Sequence, residues 1–255
     1  MHGTPEESIL SSRLEAIGTR WSLIRQAHTT TGNREATAAR QALVLRYAKA
    51  IRRYVGGIIR QSDDADELAQ DVVMRLMKGD FAGADPQRGR FRDLLKTAVR
   101  NMVHNHWDKG NRRKTADAEL DNISQGSDDT SWDHEWQSQV LELAWSGLKE
   151  FEKKNPANPA YTLLKLRAEH PDDTSEELAR RLGAATKTPV RADACRQMLR
   201  RARLRFAEIL VTELGVGLAD PSPARVAEEL AALGLLEYVR DFMPENWASS
   251  GVLQE

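Results

Sequence analysis

The sequence predicts an all-α protein. Two small helical domains are joined by an acidic linker, and a C-terminal helical extension follows. Three observations carry this. Apolar residues recur at spacings of three and four along most of the 255-residue chain. The composition is rich in Ala, Leu, Arg and Glu, with nine Pro, 6% aromatics and no long β-branched run. The charges sum to −1 but are segregated along the chain. The expected divisions are an N-terminal helical extension over 1–35, a first domain over 36–113, the linker over 114–135, a second domain over 136–214 and the C-terminal extension over 215–255.

In the first domain Leu43, Tyr47, Ile51, Tyr54 and Ile58 keep helical spacing. The next helix is "QSDDADELAQDVVMRLMKG". Acids open it, Lys78 lies near its end and Gly79 stops it, as the helix dipole and C-capping favour. Its buried stripe is Ala65, Leu68, Val72 and Leu76. "FAGADPQRG" reads as a loop, and Arg90–Trp107 as a third helix. "DAELDNISQGSDDTSWDHEW" is polar, with Gly and Ser, and reads as the linker.

In the second domain helices over about Trp136–Lys153 and Pro159–Glu169 lead into "DDTSEELARRLG". Thr174 and Glu177 have capping-box spacing, and Gly183 is read as the stop. "AATK" is read as a short connection. Thr188-Pro189 then caps and opens a longer arginine-rich helix running to about Leu214. A short capped helix followed by such a helix is a helix-turn-helix pattern. Ser222-Pro223 starts a further helix, which "LAALGLLEYVRDF" continues as an apolar tail.

Several classes are disfavoured. No apolar run approaches the roughly 18 residues of a membrane span. The opening "MHGTPEESIL" lacks the basic-then-apolar pattern of a secretory signal, so a cytoplasmic protein is expected. Cys195 is the single cysteine, which excludes an intrachain disulfide and a four-cysteine zinc site. No cofactor is implied.

Charge placement points to a polyanion. Residues 88–114 hold nine Lys/Arg against Asp93 and Asp108, and residues 187–205 hold seven against Asp193. Between them, residues 117–135 hold seven acids and no Lys or Arg. Two basic patches of this kind are an electrostatic footprint for nucleic acid.

At about 100° per residue the Arg90–Trp107 helix separates into faces. Phe91, Leu94, Leu95, Ala98, Val99, Met102 and Val103 form an apolar stripe. Lys96, Arg100, His104 and Trp107 lie together opposite. The letters His104-Asn105-His106 invite a metal or nuclease reading. On a helix, however, the two histidines diverge by about 160° and cannot share a metal. His106 falls in the stripe, as a core or boundary residue. Trp107 has two possible roles on this face, packing against a neighbouring helix or stacking on an unpaired base.

On the arginine-rich helix Cys195, Met198, Leu199, Ala202, Phe206, Ile209 and Leu210 face inward, and Cys195 reads as a small buried apolar group. Asp193, Arg196, Gln197, Arg200 and Leu204 face away, flanked by Arg201 and Arg203. Arg and Gln early in such a helix suit base edges, and later arginines suit phosphates. On the Asp64–Lys78 helix Asp66, Glu67, Gln70, Asp71, Met74 and Met77 lie off the stripe. Methionines among acids suit a protein contact.

"DADELAQDVVMRL", "RGRFRDLLKTAVRNMVHNHW" and a helix-turn-helix ending "RQMLRRARLRFAEIL", in this order, resemble the extracytoplasmic-function sigma factors of bacterial RNA polymerase. The resemblance spans about residues 19–240. "TRWSLIRQA", with its Trp21-Ser22-Leu23, and "EELAALGLLEYVR" resemble a subgroup with extensions at both ends. Leu94 departs, standing where the family often has Trp. The resemblance implies that the first domain is sigma region two and the second is region four. Asp66, Glu67, Gln70, Asp71 and Met74 would then dock on the β′ clamp helices of core RNA polymerase. Lys96, Arg100, Asn101, His104, Asn105, Trp107, Arg112 and Arg113 would meet the minus-ten element of promoter DNA. Arg191, Arg196, Gln197, Arg200, Arg201 and Arg203 would meet the minus-thirty-five element, while other surfaces meet the β flap. An anti-sigma factor is a further candidate partner. The implied function is promoter recognition, DNA melting and transcription initiation, without enzymatic activity. A helix-turn-helix regulator that is not a polymerase subunit is the alternative, and a metal-dependent nuclease the third reading.

Overall fold

The computed structural model describes residue 27 and residues 34–59, 61–81, 90–113, 125–218 and 222–242. The expected N-terminal extension with Trp21-Ser22-Leu23, the loop over 82–89, residues 114–124 of the expected linker and the tail beyond 242 lie outside the described residues, Ala27 and Arg34 aside. Among the described residues every regular element is a helix. They are α1 Arg34–Ile58, α2 Ser62–Lys78, α3 Phe91–Arg113, α4 Gln125–Lys154, α5 Ala160–Glu169, α6 Ser175–Thr186, α7 Ala192–Gly215, α8 Pro223–Ala232 and α9 Leu236–Val239, which a 3-10 turn Arg240–Phe242 follows. None is long and apolar enough to cross a membrane. The chain divides into two compact units. Of the described residues, the first unit holds those up to Gln139 with 215–218 and 222–225, and the second holds 140–214 and 226–242.

The first unit is built on α1. Leu43, Tyr47, Ile51 and Tyr54 are buried at the expected spacing, with Ala36, Ala39, Ala50 and Val55 filling the same side. On α2 the expected stripe Ala65, Leu68, Val72 and Leu76 is buried. Gly79 ends α2 in the left-handed region at φ 81°, and its N–H donates to the Arg75 and Leu76 carbonyls at 3.1 and 3.2 Å. On α3 Phe91, Leu95, Val99, Met102 and Val103 are buried, but Leu94 is 37% exposed and leaves the expected stripe. Leu94 lies at the edge of that stripe, one residue from Asp93, which is exposed.

The principal correction concerns the linker. Helix α4 begins at Gln125, so residues 125–135 are helical. The mean polarity of this stretch hides two residues four apart, Trp132 and Trp136, which share a helix face. Trp132 is fully buried and Trp136 is 2% exposed. Trp136 stacks on Tyr47, with ring centroids 4.7 Å apart and planes 12° from parallel, and Trp132 meets Tyr54 edge-on at 5.2 Å. The Arg46 guanidinium lies 5.7 Å from the Trp136 ring centroid. Asp133, from the acidic segment, accepts from Arg92 at 2.6 Å, and Glu135 approaches Arg53 at 4.0 Å. The acidic segment thus supplies counter-charges and aromatic rings to the first unit.

The second unit packs α5, α6 and α7 around Leu163, Leu178, Ala179, Leu182, Cys195 and Leu199. A second cluster joins Leu148 of α4 to Ala160 and Ala202, with Trp145, Phe151, Tyr161, Phe206 and Ile209 against it. At Gly147 a Cβ would fall 2.8 Å from the Ile209 side chain, so glycine lets α4 and α7 approach closely. The capping box is present: Thr174 accepts from the Glu177 N–H, and Glu177 accepts from the Thr174 N–H at 2.8 Å.

Two expectations at the hairpin are corrected. Gly183 does not end α6, which continues through 184–186 to its cap at Lys187. Gly183 instead admits the returning chain, because a Cβ there would meet the Thr188 carbonyl at 3.2 Å. Pro189 does not open α7. The connection runs through 187–191, and the Arg191 carbonyl accepts the Cys195 N–H at 2.9 Å, making Arg191 the cap. The tail forms two helices, α8 and α9. Gly234, at φ 63°, turns the chain between α8 and α9.

The aromatic seat predicts that Trp136→Ala destabilises the first unit by about 3–5 kcal/mol, the range for emptying a buried Trp site. Asp133→Ala leaves the Arg92 guanidinium short of an acceptor and costs about 1–3 kcal/mol. Urea unfolding of each variant checks both. A loss below about 1 kcal/mol for Trp136→Ala, well under that range, contradicts the packing described.

Candidate nucleic-acid interface

Phe91 orients α3. Its ring lies 5.4 Å from Tyr47 and 6.3 Å from Phe81, so the opposite side of the helix faces outward. On that side His104 is exposed and Lys96, Arg100 and Trp107 are half-buried, while Asn101 and Asn105 are exposed about 80° and about 40° around the helix from Phe91. His104 meets Trp107 edge-on, 5.8 Å between centroids and 89° between planes, the contact expected one turn apart. Lys96 and Arg100 are also engaged within the protein. Arg112 and Arg113 lie on α3, but their side chains are outside the described residues.

The two histidines diverge as the periodicity predicts. His106 turns from His104 toward α2, where its Nε2 lies 3.5 Å from Asp64. Among the described residues no three His, Cys, Asp or Glu side chains are grouped to hold a metal ion. The outer face of α2 carries Asp66, Glu67, Gln70 and Asp71, all exposed, and Met74, 52% exposed. Asp66 approaches Arg52 at 3.6 Å, both well exposed, a pair of small energetic weight.

A basic residue that the sequence placed in the nucleic-acid patch belongs elsewhere. Arg92 is 5% exposed, and its guanidinium is held by Asp133 at 2.6 Å and Asp93 at 3.8 Å. The signal was present. Arg92 and Val99 are seven residues apart, so they lie about 20° apart on the helix, both on its inner side.

These helices fall in a segment with a recognised pattern. Residues 43–113 match the family model for sigma-70 region 2. The match covers α1 from Leu43, all of α2 and all of α3. It ends before α4, whose Trp132 and Trp136 complete the packing around the matched segment. The match supports a sigma-70 family sigma factor. The curated proteins and the solved structures gave no match to this chain.

Beyond the matched segment, in the second unit, α6 and α7 form a helical hairpin. Arg196, Gln197, Arg200, Arg201 and Arg203 are all exposed on α7, and Arg191 is exposed just before it. Arg196 reaches Asp193 at 3.4 Å, both exposed. Arg203 lies 5.7 Å from the Phe242 ring, so the C-terminal turn rests on one of these arginines. Cys195 points inward, and burial pushes its thiol up.

The hairpin is locked by carboxylates. Bonding from the Thr174 N–H, then from its hydroxyl, holds the Glu177 carboxyl below its ordinary value of 4.5. A hydrogen bond from Arg181, at 2.6 Å, holds Asp173 below its own. A carboxyl whose pKa is lowered on folding stabilises above its unfolded value, and loses that effect as pH falls through the folded value. The unfolding midpoint of the second unit is therefore predicted to fall as pH drops below about 4.5. Glu177→Gln removes one titrating group and flattens that fall. A pH series of thermal unfolding checks this, and an unchanged profile in the variant contradicts it.

Proposed function

We propose that this protein is a sigma factor of the extracytoplasmic-function type, which binds core RNA polymerase and directs it to promoters in the cytoplasm. One observation carries the reading. The segment that matches region 2 folds so that α3 turns its cationic and aromatic side outward.

Lys96, Arg100, Asn101, His104, Asn105 and Trp107 meet the minus-ten element, and Arg112 and Arg113 extend the contact along α3. Cations hold phosphates and release counterions. Removing a base from the stack costs a few kcal/mol. Stacking on an aromatic ring returns about 1–3 kcal/mol per base. Trp107, which is edge-on to His104, takes this role in the proposal. Asp66, Glu67, Gln70, Asp71 and Met74 dock on the β′ clamp helices, with Met74 supplying the apolar contact and the acids the charge. In the second unit Arg196 and Gln197 read base edges of the minus-thirty-five element, while Arg191, Arg200, Arg201 and Arg203 take phosphates. The β flap and an anti-sigma factor are the further partners. The protein performs no chemical step itself; strand opening is driven by binding.

The test is run-off transcription with purified core polymerase on a promoter library. The protein is expected to co-elute with core enzyme and to select one promoter class. Trp107→Ala lowers open-complex formation about thirtyfold, the middle of the stacking range, while leaving core binding intact. Arg196→Ala or Gln197→Ala changes upstream preference instead. Tight binding to duplex DNA alone, without binding to core polymerase, makes the protein a helix-turn-helix regulator instead.

A further inference from the structure

Among the described residues Lys187 is the one non-glycine side chain at positive φ. It caps α6 at φ 56°, ψ 25°, a position where glycine is the usual residue and asparagine the common substitute. A β-carbon there is strained. The Lys187 side chain is exposed, and its ammonium has no hydrogen-bond or ion-pair partner among the described residues. It lines a shallow groove with Glu176, Ala179, Arg180, Gly183, Pro189 and Val190. Arg180 lies seven residues before Lys187 on α6 and is exposed. Gly183 lets the returning chain sit against the helix at this groove. Glu176 is the one acid in the lining, two turns or more from Lys187.

The geometry points to Lys187, with Arg180, as a backbone-phosphate contact for DNA bound by the α6–α7 hairpin. The site takes a phosphodiester: the Lys187 ammonium is a point charge, and the planar Arg180 guanidinium beside it suits phosphate oxygens. Lys187 acts as a phosphate anchor that sets the hairpin's register on the duplex. The strained residue is retained because glycine carries no charge. This inference rests on the proposed promoter-binding role of α7.

A cation at a helix C-terminus also favours the helix dipole, so the test must separate anchoring from capping. The variants are Lys187→Gly, which removes both charge and strain, and Lys187→Ala, which removes charge alone. Each full-length protein is assembled with core polymerase, and promoter affinity is measured from 50 to 200 mM salt. Both variants are expected to bind more weakly at low salt. Their deficit should shrink about threefold across that range, the effect of one lost phosphate contact. The loss should be uniform across upstream sequences. Lys187→Gly alone should melt a few degrees higher than wild type. Unchanged affinity with a lower melting temperature for Lys187→Gly makes Lys187 a helix cap and overturns the anchor. A wild-type protein that neither binds core polymerase nor places it on a promoter overturns the proposed function, and this inference with it.

Discussion

The first unit depends on one seat: Trp136 flat on Tyr47, with Trp132 against Tyr54 one turn away. These rings join α4 to α1, the helix whose other buried side chains hold α2 and α3 in place. Buried aromatic pairs combine large apolar area with defined ring geometry, so they fix position as well as add stability. The Arg92–Asp133 pair sets the register of α4 beside them. Its guanidinium is almost wholly buried, so it is worth less as a source of stability than as a constraint on how the helices meet.

That seat gives the acidic segment its role. On net charge the chain is nearly neutral, and part of that balance is made by pairs within the first unit. Asp133 and Glu135 return to Arg92 and Arg53 of the first unit. The cations that remain on the outer side of α3 are therefore a selected subset of the basic patch. Charge summed over a window overstates the surface a partner meets, because one of its arginines is spent inside.

In the second unit the same separation of inner and outer faces holds. Cys195, Leu199 and Ala202 are buried on α7, while Arg196, Gln197 and Arg200 stand exposed between them. The hairpin geometry rests on two residues whose roles differ from their local signal. Gly183 serves a close approach and not a helix stop, and Lys187 takes the left-handed turn that a glycine would ordinarily take. Such a position invites a functional reading because the strain has a ready remedy that the sequence does not use.

By itself the sequence determined the all-helical class, the inner faces of α1, α2 and α7, the divergence of His104 from His106 and the outward grouping of His104 with Trp107. These follow from the 3.6-residue period and from local caps, which depend on neighbours a few residues away. The match of residues 43–113 to sigma-70 region 2 agrees with that reading of the first domain. The tertiary structure alone decided that residues 125–135 are helix, that Arg92 is an interior pair, that α6 runs past Gly183 and that α7 starts after Pro189. Each of these rests on a partner distant in sequence or on the path of the returning chain. Polarity averaged over a window cannot register two tryptophans four residues apart until the helix that receives them is in place.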